Sequence, residues 1–256
     1  MFDQPFVRPS PMQSIDPRVR VALAFLCALC LAPLHDFTAC TLGMVLGLVL
    51  LVMAKAPPAA LLKRLCAVNV FILFLWCITP WTTPGQVVAQ WGMFRFTAEG
   101  VELSLLVTLK SNAIVLIFLA MVATLETPAT GHALEQLHCP HKLAFLFLFT
   151  ERYIHVLNEE WHGLTVAATL RGFRIRWDLH TGRTIGSMLG LLLVRSNARA
   201  QRVREAMLLR GFNGHFHSVV TFRTRPADYV FTAFVAGALA LILFTEIKGG
   251  WHGWHF

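Results

Sequence analysis

Apolar residues along this chain gather into long uninterrupted runs, at about 19–34, 37–54, 65–81, 101–123 and 227–247. At 1.5 Å per residue the shorter runs reach roughly 24–27 Å, enough for a thin hydrocarbon core, so each predicts a membrane-crossing helix. The first run follows a polar lead without a small-residue cleavage site and continues through "LAPLHDF" into the second. It is therefore expected to be an uncleaved first span. Between the fourth and fifth runs the pattern changes to helical amphipathicity. From Lys142 to Leu170, the residues Leu157, Trp161, Leu164 and Ala168 share one face, with Glu151, Arg152, Asn158, Glu159 and His162 on the others. A second stripe, Ile185, Leu189, Leu192, Ser196, Val203 and Met207, predicts a helix over Arg183–Leu209 after the breaker "LHTG", with Arg195, Arg199 and Arg202 on its polar side. Each helix would be roughly 40 Å long. Their apolar starts, 143–149 and 187–194, are too short to span; they are expected against the membrane, with both helix ends away from it on one side.

The expected fold class is all-α: a polytopic membrane protein with about five transmembrane helices and two long cytoplasmic helices. The expected organisation is four spans in 1–125, the amphipathic pair in 126–225, and a last span and periplasmic tail in 226–256. Composition agrees, with 56% hydrophobic and 14% charged residues among 256. Nineteen of the 22 Lys and Arg fall in the lead, the 55–64 loop and the 124–225 segment. By the positive-inside rule these are cytoplasmic, which puts the N-terminus inside and the C-terminus outside the membrane. The net charge of +8 is thus chiefly a topology signal. Attraction to anionic lipid is secondary, and no motif points to nucleic acid. Four cysteines lie inside apolar runs, so no disulfide framework is expected, and Cys27 and Cys30 suit packing or a lipid-facing surface.

Both amphipathic helices close on the same four letters, LRGF, at 170–173 and 209–212. Gly172 and Gly211 are placed to take the left-handed conformation that stops a helix, with Phe173 and Phe212 covering Ala168 and Met207. LRGF could be only a stop signal. The copies, however, share the arginine as well as the glycine, and Arg171 and Arg210 are 39 positions apart at the ends of similar helices. That favours a second reading, two forked cations docking into equivalent carboxylate-lined sites on a two-fold partner.

"SIDPRVRVALAFL" at 14–26, "ERYIHVLNEEW" at 151–161, "TLRGF" at 169–173 and "SNARAQRVREAMLLRGFNG" at 196–214 resemble the transmembrane T component of energy-coupling-factor (ECF) transporters. The ending Arg210–Gly214 is most similar to the cobalt/nickel, CbiQ-like branch. The resemblance covers about 14–225. It implies a non-enzymatic subunit whose two coupling helices end in X-Arg-X motifs, here Leu170-Arg171-Gly172 and Leu209-Arg210-Gly211, with Phe173 and Phe212 in support. It also implies partners: an ABC ATPase pair that binds the ATP, and a metal-binding membrane S component. The first copy departs with Thr169-Leu170, where small residues are common. No lysine follows a glycine in a Walker A pattern, so no nucleotide or other cofactor is expected on this chain.

The eleven histidines include the clusters His138-Cys139-Pro140-His141, His215-Phe216-His217, and His252 with His255. A metal site needs three or four ligands in fixed geometry, and each cluster offers only two or three in loops, so none is assigned as a ligand. The alternative function, a membrane-embedded metal-dependent enzyme or metal sensor, would use these cytoplasmic histidines. H-E-x-x-H and G-x-S-x-G motifs are absent, and the adjacent Glu159 and Glu160 suit charge balance with nearby arginines. Glycines 182, 186 and 190 form a ridge that either permits close helix packing or is incidental. Within the fourth run, Glu102 suits the membrane interface, Lys110 either a functional role or a buried structural pair, and Asn112 is a further intramembrane polar group.

Overall fold

The computed structural model describes residues 10–83, 87–91, 94–137, 139–212 and 225–250. Its order is α1 (Pro17–Leu31), α2 (Phe37–Ala54), α3 (Pro58–Thr82), a hairpin of β1 (Val87–Trp91) and β2 (Phe94–Thr97), α4 (Ala98–Met121), α5 (Thr127–Gln136), α6 (His141–Leu170), α7 (Leu179–Leu209) and α8 (Pro226–Gly250). Proline opens α1, α3 and α8, where its missing N–H costs nothing and its fixed φ already suits the helix. The protein is an all-α polytopic membrane protein, to which the hairpin is a small addition. Among the described residues, α2, α3, α4 and α8 are long and apolar enough to cross a bilayer. The first apolar run instead forms the 15-residue α1, about 22 Å long, which packs against α2, α4 and α8. The cation-bearing 55–64 loop is reduced to a turn at Lys55, whose φ is 49°, because α3 starts at Pro58 and takes in Lys63 and Arg64.

The chain divides into two units. One comprises Asp3–Ala133 and Phe222–Phe256, the other Leu134–Thr221. In the first, Cys27 and Leu31 of α1, Leu46 and Leu50 of α2, Ile117 and Met121 of α4, and Val235 and Ile242 of α8 meet in one core. Gly43 and Gly47 let α2 come close to its neighbours: a Cβ on Gly47 would sit 3.0 Å from the Leu116 Cβ and 3.2 Å from the Ala113 carbonyl oxygen. Helix α3 lies outermost, packed on α4, with Phe71 and Phe74 exposed for lipid to cover. All six cysteines are free thiols, Cys27 and Cys40 within the core.

Polar side chains fasten this bundle by reaching backbone groups that helix termini leave without partners. At one end Asp228 accepts the Asp16 N–H at 2.9 Å and the Arg225 N–H at 2.6 Å, joining the starts of α1 and α8. Beside it the fully buried Arg20 donates to the carbonyls of Met12 and Ala120 and to the Thr124 hydroxyl. Elsewhere in the bundle Glu246 of α8 accepts the N–H groups of His35 and Asp36, at 2.8 and 3.0 Å, where α2 begins. Lys110 donates to the Ala32 carbonyl at 2.8 Å, a cation placed on the negative terminus of α1. Asn112 and Asn69 exchange amide hydrogen bonds at 3.0 and 3.2 Å across α3 and α4, and each also donates back one turn along its own helix. Glu102 is exposed near the start of α4.

Candidate functional site

The second unit is built on α6 and α7, of 30 and 31 residues, each about 45 Å long. Helix α7 begins at Leu179, so "LHTG" lies inside its first turn instead of breaking the chain ahead of it. Asp178 has the extended backbone of an N-cap (φ −122°, ψ 152°), and Gly182 keeps helical geometry at a modest propensity cost. Phe145 stacks on Phe212 with ring centroids 6.2 Å apart, while Glu160 pairs with Arg195 and Arg199. Moving forward along α6 is therefore moving backward along α7, and the two helices are antiparallel. The expectation of two apolar starts on one side and two LRGF ends on the other does not hold: the ends lie at opposite extremities of the pair. The cause is the short connection at 171–178, which turns the chain back on itself.

Each LRGF end is a Schellman cap. At the first, the Gly172 N–H donates to Thr169 at 3.0 Å and the Phe173 N–H to Ala168 at 3.1 Å; at the second, Gly211 donates to Leu208 and Phe212 to Met207, both at 3.0 Å. Arg171 and Arg210 have φ, ψ of −85°, 12° and −88°, 11°, and the glycines that follow have φ of 84° and 80°. Burial repeats as well. Leu170 and Leu209 are 84% and 89% exposed, both arginines and both glycines are exposed, and Phe173 and Phe212 are half-buried. Phe212 and Met207 line one apolar groove with Phe145 and Phe149, so the cap phenylalanine folds back over its own helix. Among the described residues neither arginine forms an ion pair. Each end thus presents a five-donor guanidinium on a rigid turn, suited to a carboxylate supplied from outside.

Between the two ends Glu160 takes Arg195 Nη1 on Oε2 at 3.3 Å and Arg199 Nη2 on Oε1. The hydrogen bond from Arg195, with that from Arg199 behind it, holds the Glu160 carboxyl below its ordinary value. The sequence pattern places these arginines on the polar side of α7 and offers Glu159 and Glu160 for charge balance; the structure pairs them with Glu160. A Cβ added to Gly182, Gly186 or Gly190 would meet nothing within 4 Å, so among the described residues nothing packs closely on this ridge. His138, His215, His217, His252 and His255 lie outside the described residues. Among the described residues no three His, Cys, Asp or Glu side chains gather to hold a metal ion.

Comparison with known proteins covers nearly the whole chain. The energy-coupling factor transporter transmembrane protein EcfT of Heliobacterium modesticaldum is 26% identical over 91% of this chain and 92% of its own length. EcfT of Ruminiclostridium cellulolyticum is 22% identical over 88% and 86%. The nickel permease LarQ of Lactiplantibacillus plantarum is 32% identical over a shorter stretch, 38% of this chain and 35% of LarQ. The family described as CbiQ, cobalt transport protein, matches residues 9–220. Four helices fit to cross a membrane and a paired-helix unit with two matched arginine ends accompany that match, and the chain belongs to the CbiQ family as a non-catalytic transmembrane T component of ECF transporters.

Proposed function

We propose that this chain couples ATP hydrolysis to import of cobalt or nickel ions. The observation that carries the reading is the matched geometry of the two LRGF ends, which presents Arg171 and Arg210 in the same cap conformation and the same exposure. A two-fold ABC ATPase pair offers two equivalent sites, and each guanidinium forms a charge-assisted, two-pronged contact with a carboxylate there. Leu170 and Leu209 flank the arginines as exposed apolar contacts, and Gly172 and Gly211 hold the turns that aim them. When the pair closes on ATP, the docked ends move, and α6 and α7 carry that motion to a metal-binding S component in the bacterial inner membrane. The N-terminus faces the cytoplasm. ATP belongs to the ATPases and the metal ion is cargo, so this chain needs no cofactor. Cobalt is supported by the family description and nickel by the resemblance to LarQ.

Reversing both charges tests this directly. Arg171→Glu with Arg210→Glu is expected to abolish co-purification of the ATPases and metal uptake while leaving membrane insertion and monodispersity intact, because both sites are exposed. Normal assembly and uptake by the double variant would refute the docking role. Uptake of radiolabelled cobalt and nickel in cells carrying the native complex tests the cargo.

A further inference from the structure

Glu160 and Arg199 are 39 positions apart, as are Arg171 and Arg210. In an antiparallel pair, the operation that exchanges the two helices has its axis where residue i of one faces residue i + 39 of the other. The Glu160–Arg199 contact occupies that place. Arg171 lies eleven residues beyond Glu160, and Arg210 eleven beyond Arg199 in the opposite direction. Each arm is about 16.5 Å along its helix, which sets the two arginine backbone positions about 33 Å apart along the pair. The repeat of LRGF is thus one half of a local two-fold symmetry whose centre is an ion pair.

Such a centre poses a chemical problem. Under a true two-fold, equivalent residues meet at the axis, and an ionised residue there would face its own charge. This single chain places a carboxylate on one helix and a guanidinium at the equivalent position of the other. It also adds Arg195 one turn earlier on the same face of α7. The carboxylate is shared, one oxygen to each arginine, and neighbouring turns of a helix are only about 5.4 Å apart. Along the arm away from the 171–178 connection the facing surfaces are an apolar groove lined by Phe149, Tyr153, Leu157, Ala200 and Val203. Apolar contacts resist separation but do not fix register.

We infer that Glu160 is the pivot of the coupling pair: its carboxylate, clasped by Arg195 and Arg199, fixes the register of α6 on α7 and so makes the two arginine arms equal. This rests on the docking role proposed for Arg171 and Arg210. Glu160 is a positioning residue that acts through them. Without the clasp the helices keep their apolar contact but slide and twist on it. The arginines then reach the ATPases at variable separation, and closure of the pair is spent on that play.

The test uses the full complex in nanodiscs, with spin labels on non-cysteine handles at the exposed positions 167 and 206, themselves 39 apart. Glu160→Gln is expected to broaden the label–label distance distribution and to lower metal transported per ATP hydrolysed by about two- to fivefold, while the ATPases still co-purify. Glu160→Arg with Arg199→Glu re-forms the pair in reverse and should restore both readouts. A Glu160→Gln complex with an unchanged distance distribution and transport ratio overturns the inference, and so does a charge swap that rescues neither. Failure of the docking reading shows up separately, as ATPase binding that survives reversal of Arg171 and Arg210. The distance measurement does not depend on that result.

Discussion

Gly172→Ala isolates what the left-handed cap contributes, because nothing lies within 4 Å of the Cβ it would add. Steric collision is therefore absent, and the whole effect comes from holding an L-residue at φ 84°. That conformation costs about 1–2 kcal/mol for a residue with a Cβ. Relief comes from unwinding the last turn, which gives up the Gly172 and Phe173 amide bonds to Thr169 and Ala168. Opening of that turn should rise about 5- to 30-fold, read as faster hydrogen exchange at residues 172 and 173. Gly211→Ala should match it, since its φ is 80° and its surroundings are equally open. Gly163 provides the contrast. It too has open space around it, but it lies within α6 at ordinary helical φ, so Gly163→Ala should slow exchange, by about 1 kcal/mol of added helix stability. Opposite signs at 163 and 172 are the signature of a conformational stop. Unchanged or slower exchange in Gly172→Ala would show that the left-handed glycine does not terminate α6. Gly172→Asn should recover part of the loss, because asparagine tolerates this region.

Asp228→Ala removes the acceptor from the buried Asp16 amide, at about 1–3 kcal/mol, and from the part-buried Arg225 amide, and should lower the Tm in detergent by several degrees. An unchanged Tm would mean that water takes over both amides. Gly100→Ala would put a methyl 2.7 Å from the Pro80 Cα and 2.9 Å from the Thr79 carbonyl oxygen, backbone atoms that cannot rotate away, so α3 should detach from α4 and yield of monodisperse protein should fall. The Glu160 clasp should respond to acid. Its folded carboxyl lies below the ordinary 4.5, so its contribution is fully present above that value and is lost as pH falls through the lowered folded one. Broadening of the distance between labels at 167 and 206 should therefore set in only below about pH 4.5, and broadening that begins well above that value would rule out the clasp as its cause.

The ends of α6 and α7 were legible to the residue, because a glycine after a long amphipathic run carries its own stop in having no Cβ. The start of α7 was misread for a related reason: "LHTG" looks like a breaker, yet one glycine at ordinary φ costs only about 1 kcal/mol and Asp178 supplies the N-cap position. Apolar length marked the spans but overstated the first, since α1 ends at Leu31 while its apolar run continues to Leu34. Lys110 and Asn112 stood out as intramembrane polar groups, but the partners of the bundle's fastenings were not legible. Lys110 and Asp228 bind backbone groups, and Glu246 binds two backbone N–H groups with the His35 imidazole 4.0 Å away, so the side-chain pattern alone does not announce these bonds. The interval of 39 was visible in LRGF, but its second occurrence in Glu160 and Arg199 gains meaning only once the helices are known to be antiparallel.

Helix α8 holds two of those fastenings, Asp228 near its start on α1 and Glu246 near its end on α2, across sequence separations of about 210 residues. The earlier helices of the bundle can be inserted in order as they leave the ribosome, but neither fastening can form until α8 has been made. Biogenesis then has a fixed last step: the entire α6–α7 unit is synthesised while the first helices wait unsealed in the membrane. A chain truncated before Pro226 would lack not one span among several but the strut that locks α1 and α2 in place, and quality-control proteolysis should find it although every preceding helix is intact.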